Sequence, residues 1–133
     1  MENITNKIVI KKSSIKNAGK GIFTKEKLKA KLKIGQYKGR LISKKIYNTL
    51  SDTRYTFELS KKIGKSYKLF YIDAQNKKES NWLRYINGAK TKHQKKMINI
   101  EAYQYNEKIF YRTTKEIKAG AELIIDYGDS YWL

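Results

Sequence analysis

The chain has 133 residues, carries 30 Lys and Arg against 12 Asp and Glu, and has a net charge of +18. That length admits one domain with a real core, residues 1–133, and not two. The absence of cysteine excludes a disulfide framework and a thiolate metal site, and the single histidine, His93, lies among the lysines of KTKHQKK as a solvated side chain.

No apolar run is long enough to cross a bilayer, and the opening MENITNKIVIKK lacks the apolar stretch of a signal peptide. A soluble, intracellular protein without membrane contact is expected. The positive charge points in the first instance to nucleic acid or another polyanion. Yet the base is nearly all lysine, with arginine only at Arg40, Arg54, Arg84 and Arg112, and the chain is rich in Asn, Ile and Tyr and has no proline. That pattern also fits the codon bias of an AT-rich genome, so charge alone does not assign a function.

In chain order the pattern is mostly strand. IVIKKSS (8–14) opens as a strand and leads into NAGKGIFT, where Gly19 and Gly21 flank Lys20. LKIGQYKGRLI (32–42) reads as a second strand pair broken by Gly35 and Gly39, and Ser43 is a predicted N-cap for a short helix, KKIYNTL. RYTFEL (54–59) and SYKLFYIDA (66–74) alternate as strands around the turn KKIGK. ESNWLRYINGA (79–89) places Trp82, Tyr85 and Ile86 at helical spacing before Gly88, and the lysine-rich 90–96 segment reads as a surface loop. INIEAYQY and KIFYRTT are hairpin partners around Asn106-Glu107.

The end of the chain, AELIIDYGDSYWL, runs an apolar strand (Leu123, Ile124, Ile125) into a Tyr127-Gly128 turn followed by Asp129, Tyr131 and Trp132. Aromatics so close to a terminus suggest an end that is tied into a site, since untethered termini fray, although the same residues also read as a closing strand with a hydrophobic tail. Gly19-Lys20-Gly21 between strands allows backbone to approach a ligand closely, although the same residues also make an ordinary turn. No helix of the Rossmann type follows and there is no GK[ST], which argues against a nucleotide-phosphate loop. Glu58 and Glu101 are candidates to face a basic peptide, and Asp73 reads as a structural hydrogen-bonding residue.

Taken together, AGKGIFT, GQYKGRLI, YTFEL, YIDA, NWLRYIN, IFYRTTKEIKAGAEL and DYGDSYW, in this order, resemble the SET-domain lysine methyltransferases over about residues 7–132. The likeness is strongest to the PR-type (PRDM) branch and to the minimal stand-alone SET proteins of large DNA viruses. The resemblance implies a mainly β fold of small sheets with short helices and a C-terminal pseudoknot, in which the strand ending at Tyr127 passes beneath the RYIN loop. It implies S-adenosylmethionine as cofactor, a substrate lysine entering from the opposite face, and no metal in the methyl transfer. The zinc-binding cysteine clusters that flank the domain in many relatives have no counterpart here.

Position by position, the resemblance assigns Gly19, Lys20 and Gly21 to the cofactor-binding GxG segment, and Arg84, Asn87 and Gly88 to the segment that holds the adenosine part. Gly88 stands where most members have a His that PR-type domains also lack. Phe57 falls where PR-type domains place an aromatic near the cofactor, and Tyr131 and Trp132 would cover it. Tyr37, Tyr111 and Tyr127 match the tyrosines of the lysine channel, with Tyr127 the essential one, and Ile125 occupies the channel position that tunes methylation state. The implied activity is protein-lysine N-methylation, of a histone by family likeness, at the nucleus or a site of viral DNA, with chromatin or DNA contact through the basic surface and a homodimer as further possibilities. The alternative is a non-catalytic PR-type module that binds chromatin or nucleic acid.

Overall fold

The computed structural model describes residues 4–126, which divide into two compact units, each assembled from separated stretches of chain. Unit 1 takes residues up to Gly35, then Tyr85–Ala102, then the chain from Tyr111 onward, and unit 2 takes Gln36–Arg84 and Tyr103–Phe110. The order of elements is β1 (Ile8–Lys12), β2 (Lys20–Thr24), β3 (Lys33–Gln36), β4 (Arg40–Ser43), α1 (Lys44–Tyr47), β5 (Thr56–Ile63), β6 (Ser66–Asp73), β7 (Asn87–Gly88), α2 (Lys92–Lys95), β8 (Ile100–Tyr105), β9 (Lys108–Thr113) and β10 (Ile124–Asp126). Short 3-10 turns cover Thr5–Lys7, Lys77–Glu79 and Trp82–Tyr85. The chain is thus mainly β with short helices, as expected. No helix among the described residues is long and apolar enough to cross a membrane.

The strands form three sheets, β1-β2, β4-β6-β5 and β3-β9-β8-β10-β7. In unit 1, β1 and β2 pair antiparallel from Ile8↔Thr24 to Lys12↔Lys20. β10 lies between two parallel neighbours, Ile124 and Ile125 opposite Asn87 and Gly88 on one side, and Ile125 and Asp126 opposite Ile100 and Glu101 on the other. The unit's interior holds Ile22, Leu28, Ile100, Tyr111, Leu123, Ile124 and Ile125, all essentially fully buried. The all-apolar run Leu123–Ile125 follows from this: a strand flanked by parallel partners and covered on both faces has no solvent side to supply with polar residues.

In unit 2, β5 and β6 form a long hairpin from Thr56↔Asp73 to Ile63↔Ser66, and β4 adds to the other edge of β6. Its turn is Gly64-Lys65, with Gly64 at φ +62. The β8–β9 hairpin turns through Asn106 (φ 50) and Glu107 (φ 64), the pair of positive angles that a two-residue turn matched to strand twist demands. Ser43 caps α1 as expected, its side chain accepting the Ile46 N–H.

Several sequence expectations are corrected. The helix over 79–89 is replaced by two 3-10 turns and β7, because Asn87 and Gly88 are drawn into pairing with β10. β3 and β4 are not partners. They join different sheets, β3 beside β9 and β4 beside β6. The 90–96 loop contains α2, closed at its start by a capping box between Thr91 and Gln94. Gly21 lies inside β2 rather than in a connecting loop, and Leu123 precedes β10, its N–H donating to the Ile22 carbonyl.

Candidate functional site

Unit 1 joins the two sequence segments expected to bind a cofactor. The Asn87 amide nitrogen donates to the Lys20 carbonyl at 3.0 Å, a bond between residues 67 positions apart. A carbonyl only accepts, so this bond fixes which end of the amide faces β2. Gly19 takes φ +72 and a Cβ built there would meet nothing within 4 Å. The backbone at Gly19 is therefore open to close approach, in a conformation L side chains seldom adopt.

Gly21 is glycine for a different reason. A Cβ there would lie 2.3 Å from Glu122 Oε2, 3.1 Å from Glu122 Cδ and 3.2 Å from Asn87 Nδ2. Glu122, only 7% exposed, accepts from Ser13 Oγ at 2.6 Å, Ser14 N at 2.9 Å, Ser14 Oγ at 2.6 Å and Asn87 Nδ2 at 3.4 Å. Its own carbonyl accepts from Asn99 Nδ2 at 2.9 Å, while Asn99 Oδ1 accepts the Ile124 N–H at 2.8 Å. Asn99 thus clamps the chain on either side of Leu123 just where it enters β10.

Glu122, Ser13, Ser14 and Asn99 were not singled out by the sequence reading. The one available signal for Glu122 was a lone carboxylate bordering the apolar run Leu123–Ile125. Ile125 and Tyr111 are both fully buried in this unit. Gly88 pairs with Ile125. Glu101, a candidate to face a basic peptide, is ion-paired with Arg112 at 2.5 Å and with Lys31 at 3.9 Å.

Unit 2 holds three other expected site residues. Tyr37, 2% exposed, donates its hydroxyl to the Tyr55 carbonyl at 2.7 Å and sets its ring edge-on to Phe57, 4.7 Å between centroids. Arg84 is buried. Its guanidinium donates to the carbonyls of Ala74 (2.8 Å) and Gln75 (3.0 Å) and lies 4.2 Å over the Tyr55 ring. These bonds tie the 3-10 turn at Trp82–Tyr85 to the end of β6. Asp73 Oδ1 accepts the Gln75 N–H, a local structural bond. Burial, followed by the charge of Glu58 and the neighbouring Tyr47, raises the Tyr71 phenol above its usual value of 10.0. Tyr127, Tyr131 and Trp132 lie outside the described residues.

A family model described as the PR domain of PR domain zinc finger protein 2 matches residues 8–133. The histone-lysine N-methyltransferase set-17 of Caenorhabditis elegans is 37% identical over 122 residues, covering 92% of this chain and 41% of the relative. The human histone-lysine N-methyltransferase PRDM7 is 33% identical over 121 residues, covering 90% of this chain and 23% of the relative. The chain therefore spans less than half the length of these curated relatives. Among solved structures, the methyltransferase domain of human PR domain-containing protein 2 superposes with a TM-score of 0.77 at 23% identity, covering 92% of this chain and 77% of that one. The SET domain of ATXR5, in a complex with histone H3 dimethylated on R26, superposes with a TM-score of 0.76 at 20% identity, covering 92% and 58%.

Proposed function

The chain belongs to the PR-domain family and has the SET-domain fold, and from that premise we propose that it is an S-adenosylmethionine-dependent protein-lysine N-methyltransferase organised as one domain, with a histone tail as substrate. The observation that carries the reading is the Asn87-to-Lys20 hydrogen bond, which brings the two cofactor-binding segments of the family pattern into contact. The open backbone at Gly19, where a side chain would meet nothing within 4 Å, fits a ligand held by main-chain groups. Gly19, Lys20, Gly21, Asn87 and Gly88, all in unit 1, would hold the cofactor. When bound, S-adenosylmethionine supplies an electrophilic methyl group.

The rest falls to the protein. A lysine ammonium, with a pKa of about 10.4 in model peptides, has no lone pair and must lose its proton before it can attack. An apolar, aromatic-walled approach penalises the cation by desolvation. Tyr111 contributes a fully buried ring, and Tyr127 is assigned to orient the neutral amine through its hydroxyl. Catalysis is then chiefly alignment of the nucleophile, a task for which neither a histidine base nor a carboxylate pair is needed. Relatives named histone-lysine N-methyltransferases support a histone as the substrate, with the nucleus or a site of viral DNA as the place of action.

The test is mass spectrometry of core histones incubated with purified protein and isotope-labelled methyl donor, wild type beside Tyr127→Phe. Wild type should add labelled methyl groups. The variant, which removes one oxygen and little packing, should lose about a hundredfold, or roughly 3 kcal/mol of transition-state stabilisation. Undiminished turnover in the variant would reassign the orienting role, and no transfer by wild type to any histone would remove the proposed substrate.

A further inference from the structure

We infer that Glu122 is a positioning residue for the cofactor site: its carboxylate fixes the Asn87 amide so that the amide carbonyl is what the side chain offers to a ligand. The inference rests on the proposed cofactor site at Gly19–Gly21 and Asn87. Two of the groups facing Glu122, the Ser14 N–H and the Asn87 Nδ2, can only donate, so the side chain acts there as an acceptor at both oxygens. Asn87 Nδ2 is shared between Glu122 Oε2 at 3.4 Å and the Lys20 carbonyl at 3.0 Å. With both amide protons directed into the protein, the remaining polar atom of the side chain is Oδ1, an acceptor suited to a ligand N–H or ammonium group.

The same carboxylate stands where a residue-21 side chain would go. One carboxylate therefore bonds two segments, the Ser13-Ser14 turn after β1 and Asn87 in β7, and packs against the glycine backbone of β2 between them. A carboxylate that only secured the Ser13-Ser14 turn would affect stability without affecting Asn87. Groups that orient metal ligands from behind typically alter metal affinity by tenfold or more when removed, and a carboxylate that orients Asn87 should act on the cofactor in the same way.

Calorimetric titration of S-adenosylmethionine into the full chain separates the two roles, using wild type, Asn87→Ala, Glu122→Gln and the double variant. Glu122→Gln should weaken binding about tenfold, raising the cofactor KM in turnover assays. In the Asn87→Ala background the same change should cost nothing further, because its effect passes through Asn87. Losses that add, or wild-type affinity in Glu122→Gln, would overturn the inference. Wild type that fails to bind, or Asn87→Ala that binds as tightly as wild type, would remove the underlying cofactor site and this inference with it.

Thr113→Val supplies the stability control, since Thr113 is buried in the same unit and bonded to Lys29 and Leu32. If it weakens the cofactor as much as Glu122→Gln at a matched fall in melting temperature, the positioning role is refuted. Should Glu122→Gln not fold, Ser14→Ala removes one donor from the carboxylate at an exposed residue. It should weaken binding severalfold in wild type and not at all beside Asn87→Ala, and unchanged affinity in the first case overturns the inference.

Discussion

Gly21→Ala is a change that backbone propensity says should help and that the structure says should harm. Gly21 does not have a positive φ, so alanine fits its conformation and would ordinarily gain about 0.4–1 kcal/mol by restricting the unfolded chain. Against that, the new methyl would lie 2.3 Å from Glu122 Oε2. The oxygen is the end of a flexible side chain, but it is held by Ser13 at 2.6 Å and the other oxygen by Ser14. Moving it forfeits at least one hydrogen bond to a carboxylate, about 1.5–3 kcal/mol, for a net loss of about 1.5 kcal/mol. For 133 residues, at about 2.1 cal/mol/K per residue, the unfolding entropy is about 280 cal/mol/K, so the melting temperature should fall by about 5 °C. Thermal unfolding followed by circular dichroism reads this directly. Paired with Glu122→Ala, which removes the atom that is struck, Gly21→Ala should cost nothing more. A Gly21→Ala protein that melts at or above the wild-type temperature would refute the reasoning.

Gly39→Ala should be worse, because its methyl would sit 2.4 Å from the Asp73 carbonyl oxygen and 2.6 Å from its carbon, and backbone cannot swing aside; a loss of about 3 kcal/mol or failure to fold is expected from denaturant titration. Tyr71, whose phenol is raised above 10.0 chiefly by burial, binds its proton more tightly folded than unfolded, so stability should fall as pH rises from 10.0 toward the folded value, and Tyr71→Phe should flatten that part of a denaturation-versus-pH curve. On the proposed assignment of Ile125 to the lysine channel, it offers no hydroxyl to anchor a water beside the amine, so wild type should proceed past monomethyl-lysine on a single-lysine peptide. Ile125→Tyr should shift the product toward monomethyl in a mass-resolved time course, with melting temperature monitored because the position is fully buried.

The β5–β6 hairpin, the Asn106-Glu107 turn and the Ser43 cap were readable because each is set by residues close in sequence: alternation across a short turn, two residues that must share positive φ, one hydroxyl three positions from its N–H. Where distant partners decide, local pattern failed. Trp82, Tyr85 and Ile86 have helical spacing, yet Asn87 and Gly88 form a strand whose partners, Ile124 and Ile125, are supplied 37 positions later. The glycines of GxG were visible, but not that the second is required by the carboxylate of Glu122, 101 positions away. Glu122 itself gave little sign, since what buries it acceptably is a pair of serine hydroxyls more than a hundred residues upstream. The family resemblance marks the residues of the site, while what holds them in place comes from partners distant in sequence.

The position of β10 between β7 and β8 bears on how the protein is made. On the ribosome, β7 and β8 emerge well before the strand that separates them, so each presents an unsatisfied edge while the slot between them stays empty. Edges of that kind invite pairing with other chains, and the parallel, long-range contacts that fill the slot are slow to form. Completion of the sheet must therefore wait until the Asn99 clamp can engage the segment that carries β10. A nascent chain halted before Glu122 would carry most of its β-structure and none of that closure. Growth temperature and translation rate should then govern soluble yield more strongly than the stability of the finished fold.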